Sequence, residues 1–252
     1  MKNLASEKVG NIVASNFRTS RVLTAYGIDF CCKGGVSLRE ACERQGAPLE
    51  KVIEALEQSF RKDDPNHFDS MPLDALVQLI LDKHHEYIRS MCPALKIYLE
   101  KLCRVHGERH PEIHKIRKLF DEAAIALMDH MLKEEIVLFP FIQTLVKAEA
   151  TGSPAPSPSF GHIDNPIQRM ELEHETEGER FHQISTLSND YQCPSDGCQT
   201  YMATYALLKE FEEDLHQHIH LENNILFPKA KELFARLSGS ACGCDEFHAE
   251  EK

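Results

Sequence analysis

The sequence predicts an all-α protein: an antiparallel four-helix bundle preceded by a small helical N-terminal domain. Three observations carry that reading. Apolar residues recur at three- and four-residue spacing over long stretches, strand-like alternation is absent, and two breaks rich in Pro, Ser and Asp, at 61–72 and 151–159, punctuate the 252 residues. The boundaries that follow are 1–62 for the N-terminal domain, 63–72 for a linker, 73–238 for the bundle and 239–252 for a tail expected to fray.

In the N-terminal domain, Val9, Ile12, Val13, Phe17, Val22, Leu23 and Tyr26 keep helical spacing as far as Gly27. The turn Ile28-Asp29-Phe30-Cys31-Cys32-Lys33-Gly34-Gly35 then interrupts them. Ser37 and Glu40 have the capping-box pattern, in which each side chain can satisfy a free amide at a new helix start, and a further short helix follows from Pro48 to about Phe60. A unit of this size buries only a marginal core, so it is expected to lean on the rest of the chain.

The bundle opens at Pro72, whose ring is preset for a first helical turn, with an apolar stripe of Leu73, Leu76, Val77, Ile80, Leu81, Ile88, Leu95 and Leu99 on a helix reaching about Leu102. The second helix is predicted over about 112–150, the third over 165–188 and the fourth over 200–237. Amphipathic helices joined this way pack most economically as an antiparallel bundle.

Composition narrows the function. With 28 basic against 40 acidic residues the net charge is −12, a field that repels phosphate backbones and anionic lipid, so neither nucleic acid nor a membrane is expected as a partner. No apolar run approaches the roughly 18 residues of a membrane span, and the first residues lack the apolar stretch of a secretory signal, so a cytoplasmic location is expected. Nine cysteines in such a compartment read as thiols, redox groups or metal ligands rather than bridges. The fourteen histidines are the more informative excess.

Their placement reveals an internal repeat. His130, Glu134, Leu138, Phe139 and Pro140 recur 88 positions later as His218, Glu222, Leu226, Phe227 and Pro228, and His85-Glu86 recurs 89 positions later as His174-Glu175. Each half is therefore a helical hairpin carrying one histidine on its first helix and a His-x-x-x-Glu on its second. Residues four apart share a helix face, so each pair offers an imidazole and a carboxylate toward the interior. Four histidines and two glutamates exceed what one ion takes, whereas two ions can share both carboxylates as bridges while each takes two histidines. The expected metal residues are His85, His130, Glu134, His174, His218 and Glu222. Nitrogen and oxygen donors suit iron, manganese or zinc, and a pair of irons is the leading assignment.

Other histidines compete for notice. At about 100° per residue His84 falls nearer the middle of the apolar stripe, whereas the repeat register and the His-x-x-Ile context favour His85. His216 and His220 are out of phase with His218 and are expected at the surface. His106, His110 and His114 stand four apart, but Gly107 and Pro111 interrupt them and they have no counterpart in the other half, so they are not expected to bind metal. Phe139 and Phe227, each followed by proline, are expected to shape the core below the centre rather than handle substrate.

Taken together, the repeat and the Gly27-Ile28-Asp29-Phe30-Cys31-Cys32-x-Gly34-Gly35 segment resemble, over about Val9 to Leu237, the iron–sulfur cluster repair di-iron proteins, which have a hemerythrin-like domain. The resemblance implies a stress-response protein with a non-haem di-iron centre, joined by an oxo or hydroxo bridge, with the four histidines as terminal ligands and Glu134 and Glu222 bridging. It implies damaged or apo iron–sulfur proteins as partners and nitric oxide or O₂ as small ligands, and it leaves a homodimer open. Cys31 and Cys32 match the family's N-terminal cysteines; such a pair reads as structural, redox-active or iron-transferring, and Lys33 with two glycines is expected to make an accessible turn favouring thiolate. The Cys193–Cys198 loop and the Cys242 and Cys244 tail depart from the family pattern. Three functions compete: iron supply for cluster repair, reversible gas binding, and enzymatic reduction of nitric oxide at the centre.

Overall fold

Residues 3–61 and 68–239 are described by the computed structural model. Half of the linker, 63–67, and the tail from 240 on, with Cys242 and Cys244, lie outside the described residues. Among those described, the chain is helical, with one isolated antiparallel bridge between Lys8 and Ser37.

The N-terminal unit comprises α1 (Val9–Ser15), α2 (Thr19–Ala25), α3 (Leu38–Gln45) and α4 (Leu49–Phe60). Helix α2 ends where Gly27 adopts a left-handed conformation at φ 67°, which lets the Gly27 and Ile28 amides donate back to the Thr24 and Leu23 carbonyls, both at 2.9 Å. The chain thereby turns abruptly into the cysteine segment. Ser37 caps α3, accepting from the Glu40 amide at 3.3 Å, but the Glu40 carboxylate pairs with Arg44 rather than reaching back, so half of the expected box forms. Val9, Ile12, Val13, Leu23, Leu38, Val52 and Leu56 are buried and pack continuously with the bundle core. This unit does lean on its neighbour.

Four long rods make the bundle. The first joins α5 (Leu73–Leu79) to α6 (Glu86–His106) through a π-helical segment, Ile80–His85; the second joins α7 (Glu112–Lys133) to α8 (Phe139–Thr151) through Glu134–Leu138. The third, α9 (Asp164–Leu187), is uninterrupted. The fourth joins α10 (Gln199–Leu221) to α11 (Phe227–Gly239) through Glu222–Leu226. Helix α6 packs on α7, α7 on α9, α9 on α10, and α10 back on α6, closing the ring. Three of the four rods thus widen by an extra residue per turn at the level of the histidines, a deviation that apolar spacing alone does not announce.

Two apolar clusters fill the rods. One contains Ile88, Leu95, Leu99, Phe120, Phe181 and Phe211; the other contains Leu76, Ile80, Phe139, Ile142, Met170 and Phe227. The expected metal residues occupy the layer where these clusters meet. No helix among the described residues is long and apolar enough to cross a membrane, and the seven described cysteines are free thiols.

The expectation that His216 and His220 lie at the surface is wrong. His220 is fully buried, its ring 5.9 Å from that of Phe17 and 5.7 Å from that of Phe30, and His216 is partly buried with Phe30 at 6.3 Å. The phase argument about His218 was sound, but the opposite face of α10 meets the N-terminal unit instead of water.

Candidate metal centre

The π segments place the two glutamates. In each, the phenylalanine amide donates to the carbonyl of the glutamate five residues earlier, Phe139 to Glu134 and Phe227 to Glu222. The next residue is proline in both cases, which has no amide to draw the ladder back to four-residue spacing, so the wide turn stands. Phe139 stacks beside His85 at 5.6 Å and Phe227 beside His174 at 6.1 Å. Each aromatic therefore backs a histidine borne by a neighbouring rod.

The structure brings the expected residues into one buried cluster. Glu134 lies between His85 and His130, with Oε2 3.4 Å from His85 Nε2 and Oε1 3.3 Å from His130 Nε2. Glu222 lies between His174 and His218, at 3.1 Å and 3.0 Å. Donor atoms converge in two groups, each within 4.8 Å: His85, His218 and both glutamates, and His130, His174 and both glutamates. Both carboxylates belong to both groups, the arrangement two bridged ions require. His84, the alternative to His85, turns away; its Nδ1 is 3.0 Å from Asp214 Oδ1 and its ring stacks on His218 at 5.6 Å.

The donor set fits cations. His130 Nε2 and His174 Nε2 lie 3.0 Å apart, so two lone pairs face one another unless a proton or metal intervenes. Both oxygens of Glu134, Glu222 Oε2 and His85 Nε2 are buried without a hydrogen-bond partner. Leaving such atoms unpaired in the interior is costly, and an ion coordinated by all of them removes the cost. Electrostatics agree in sign. Burial and the Glu222 charge push the Glu134 carboxyl up, yet His130 and His85 hold it below its ordinary value; Glu222 is held well below, burial notwithstanding, by His218 and His174. Burial opposes charge on His130, but Glu134, Glu173 and Glu222 raise it to about 10. These carboxylates therefore favour the protonated form of His130, whose proton metal loading would displace.

Sequence reasoning missed the residues that orient these histidines. Glu135 Oε1 is 2.7 Å from His85 Nδ1 and is itself paired with Arg89. Asn223 Oδ1 is 2.8 Å from His174 Nδ1, and Glu173 Oε2 is 3.1 Å from His130 Nδ1 while Oε1 binds Lys133 and Arg169. Such partners fix the tautomer that leaves Nε2 free for metal. The repeat held the signal: Glu135 and Asn223 each follow a glutamate of the cluster, and Glu173 and His84 each precede a histidine. His218 differs from the other three, since its Nδ1 has no hydrogen-bond partner and its ring is held by stacking on His84.

The cysteine turn abuts this layer. Asp29 Oδ1 accepts from the Cys31 and Cys32 amides at 3.0 and 2.9 Å, ordering the turn, and its carboxylate and both sulfurs lie within 4.8 Å of one another. Cys32 Sγ donates to the His174 carbonyl at 3.4 Å and sits over Gly178, where a Cβ would come within 3.0 Å of the sulfur. Asn223 Nδ2 donates to the Cys31 carbonyl at 3.2 Å, so one amide side chain links that turn to His174. The expected thiolate-favouring environment is a correction: Cys31 is buried, and contact with Cys32, burial and the Asp29 charge push its thiol well above the usual range. Lys33 does not offset them.

Comparison with known proteins follows this geometry. Residues 78–230 match the hemerythrin HHE cation binding domain, and residues 5–59 match ScdA_N, a domain of unknown function. The iron-sulfur cluster repair protein ScdA of Staphylococcus haemolyticus is 29% identical over 88% of this chain and 96% of its own length. A probable iron-sulfur cluster repair protein of Haemophilus influenzae is 30% identical over 90% and 97%, and the iron-sulfur cluster repair protein YtfE of Yersinia pestis 31% over 89% and 96%.

Proposed function

We propose that this chain, which belongs to the hemerythrin HHE cation-binding family and, with its ScdA_N domain, to the iron–sulfur cluster repair proteins, supplies iron to clusters damaged by nitrosative or oxidative stress. Two irons would be held by His85, His130, His174 and His218, with Glu134 and Glu222 bridging and an oxo or hydroxo bridge completing the pair. When bound, such ions supply one-electron chemistry and, through carboxylate bridges sensitive to protonation, exchangeable iron. The cytoplasm is the proposed location.

The observation that carries this reading is the continuity of the thiol turn with the centre. Asp29, Cys31 and Cys32 form a second, smaller donor group of soft and hard atoms. It is bonded to the His174 carbonyl by Cys32 and to the His174 ring through Asn223. Ligand softness favours thiolate acceptance of ferrous iron on its way to a cluster, and the raised Cys31 thiol keeps that sulfur protonated until a cation arrives. His218 is the one of the four histidines whose Nδ1 has no hydrogen-bond partner, whereas Nδ1 of His85, His130 and His174 each faces a side-chain oxygen.

The experiment is transfer from the reduced, iron-loaded protein to an apo iron–sulfur protein. The wild type is expected to restore the acceptor's cluster spectrum in the presence of sulfide, and Cys31→Ser with Cys32→Ser is expected to slow transfer at unchanged iron content. Catalytic consumption of nitric oxide with no transfer would replace this reading with the reductase. Reversible gas binding with neither would replace it with a carrier.

A further inference from the structure

A second group of reactive side chains lies at the far end of the bundle, where the α9–α10 loop meets the α6–α7 corner. His106 stands 21 residues beyond His85 on one continuous rod, about 30 Å at 1.5 Å per residue. Cys198 is exposed and forms the N-cap of α10. Nε2 of the buried His106 is 3.3 Å from its sulfur. The Gly197 amide donates to the Pro194 carbonyl at 2.9 Å, closing a turn that folds the intervening residues back on themselves. The turn lays Cys193 Sγ against Gly197, where any Cβ would collide with the sulfur. A glycine beside Cys198 thus makes room for the second thiol.

The loop is anchored from the corner. His110 Nε2 is 2.9 Å from Asp196 Oδ1, Arg109 is 2.8 Å from Asp196 Oδ2, and His110 Nδ1 is 3.2 Å from Glu112. Both nitrogens of His110 are therefore engaged, so His106, His110 and the cysteines do not converge as one metal-ligand set. The Tyr201 ring stands edge-on to His106 at 5.3 Å. A cavity of about 230 Å³, lined in part by Cys193, Gln192, Tyr201 and Tyr205, opens beside the second sulfur.

An exposed sulfur at a helix N-terminus with an imidazole at hydrogen-bond distance, next to a less exposed thiol, is the arrangement of a dithiol exchange site. We propose that Cys198 and Cys193 are such a pair, with disulfides as the substrate class. The Cys198 thiolate attacks one sulfur of RS–SR, forming a mixed disulfide and releasing RS⁻. Cys193 then loses its proton to solvent and attacks the Cys198 sulfur, closing the Cys193–Cys198 disulfide and releasing a second RS⁻. Two protein thiols are oxidised and one disulfide is reduced to two thiols.

The charge distribution assigns the two roles. His106 first, and then the amides of Tyr201 and Thr200, hold the Cys198 thiol down to about 7. Burial and the charges of Cys198 and Asp196 push Cys193 the other way. Around the loop, Arg109 and His110 are engaged with Asp196, His110 also with Glu112, and Lys101 with Thr200 Oγ1 at 3.4 Å.

The test exposes the full iron-loaded chain to oxidised glutathione, alkylates the remaining thiols and maps the peptides by mass. The wild type is expected to yield a Cys193–Cys198 cross-link, and Cys193→Ser to accumulate glutathione on Cys198. Iodoacetamide labelling of Cys198 is expected to have its midpoint near pH 7; in His106→Gln the midpoint should move toward the ordinary thiol value of about 8.5, with labelling at pH 7 slowed about tenfold. Helicity and iron content should stay at wild-type levels in both variants. A wild-type midpoint above pH 8, a midpoint indifferent to His106→Gln, a glutathione adduct that never resolves, or zinc that blocks both sulfurs would each overturn the proposal.

Discussion

Asn223 connects the cysteine turn to the metal layer through one side chain. Its oxygen faces His174 Nδ1 at 2.8 Å and its nitrogen donates to the Cys31 carbonyl at 3.2 Å. Asn223→Ala should leave the fold intact and weaken iron binding about 10- to 100-fold, the usual consequence of removing a ligand's hydrogen-bond partner. A competition titration against a chelator measures it, and unchanged affinity would mean that stacking on Phe227 alone orients His174. Glu212 on α10 offers a separate test, away from the metal layer. Burial first, then Asp190 and Glu213, raise its carboxyl to about 7 against the opposing pull of Tyr191 and Lys209. A carboxyl that titrates higher when folded binds its proton more tightly in the native state. Its stabilising contribution is present at acidic pH and is lost as pH rises through about 7. The stability advantage of Glu212→Gln over the wild type should therefore grow between pH 5 and pH 8, by up to about 3 kcal/mol in denaturant titrations.

At the scale of elements, the π segments set the height of the Glu134 and Glu222 carboxylates. A π-bulge amounts to one residue inserted in an α-helix, and its removal restores the ladder with both flanks in register. Deleting Val137, which is partly exposed in the Glu134–Leu138 segment, should leave helicity by circular dichroism nearly unchanged while iron loading falls by half or more. Loss of the fold instead would show that the lower core depends on the bulge. Much of this architecture was legible. Uniform helical spacing marked every rod, and the duplicated His-x-x-x-Glu marked which residues gather, because a repeat makes coincidence expensive. The bulges were not legible, since apolar residues drift only slightly in phase over one extra residue. The burial of His220 was equally hidden, because spacing says which face a residue occupies but not what covers that face. Glu135 and Glu173 read as ordinary surface charges until the rods bring His85 and His130 against them.

For the molecule as a whole, the N-terminal unit is bonded to the layer that holds the candidate metal residues. Asn224 donates to the Phe30 carbonyl at 3.2 Å and to the Cys31 carbonyl at 3.4 Å, and Gly10 and Gly34 leave the room its side chain fills. A Cβ at Gly34 would meet both that side chain and the Phe30 carbonyl. Gly34→Ala should therefore loosen the docking, seen as faster amide exchange in 28–36 and at His220, with iron transfer slowed more than iron content is reduced. Protection equal to the wild type would place the cysteine turn's anchorage elsewhere. The central claim concerns the duplicated hairpins, and metal stoichiometry tests it most directly. Anaerobically loaded wild-type protein should carry two irons per chain, and Glu134→Ala with Glu222→Ala should lose both while remaining helical. A single iron in the wild type, or loading unchanged in the double variant, would contradict a centre bridged by these two carboxylates.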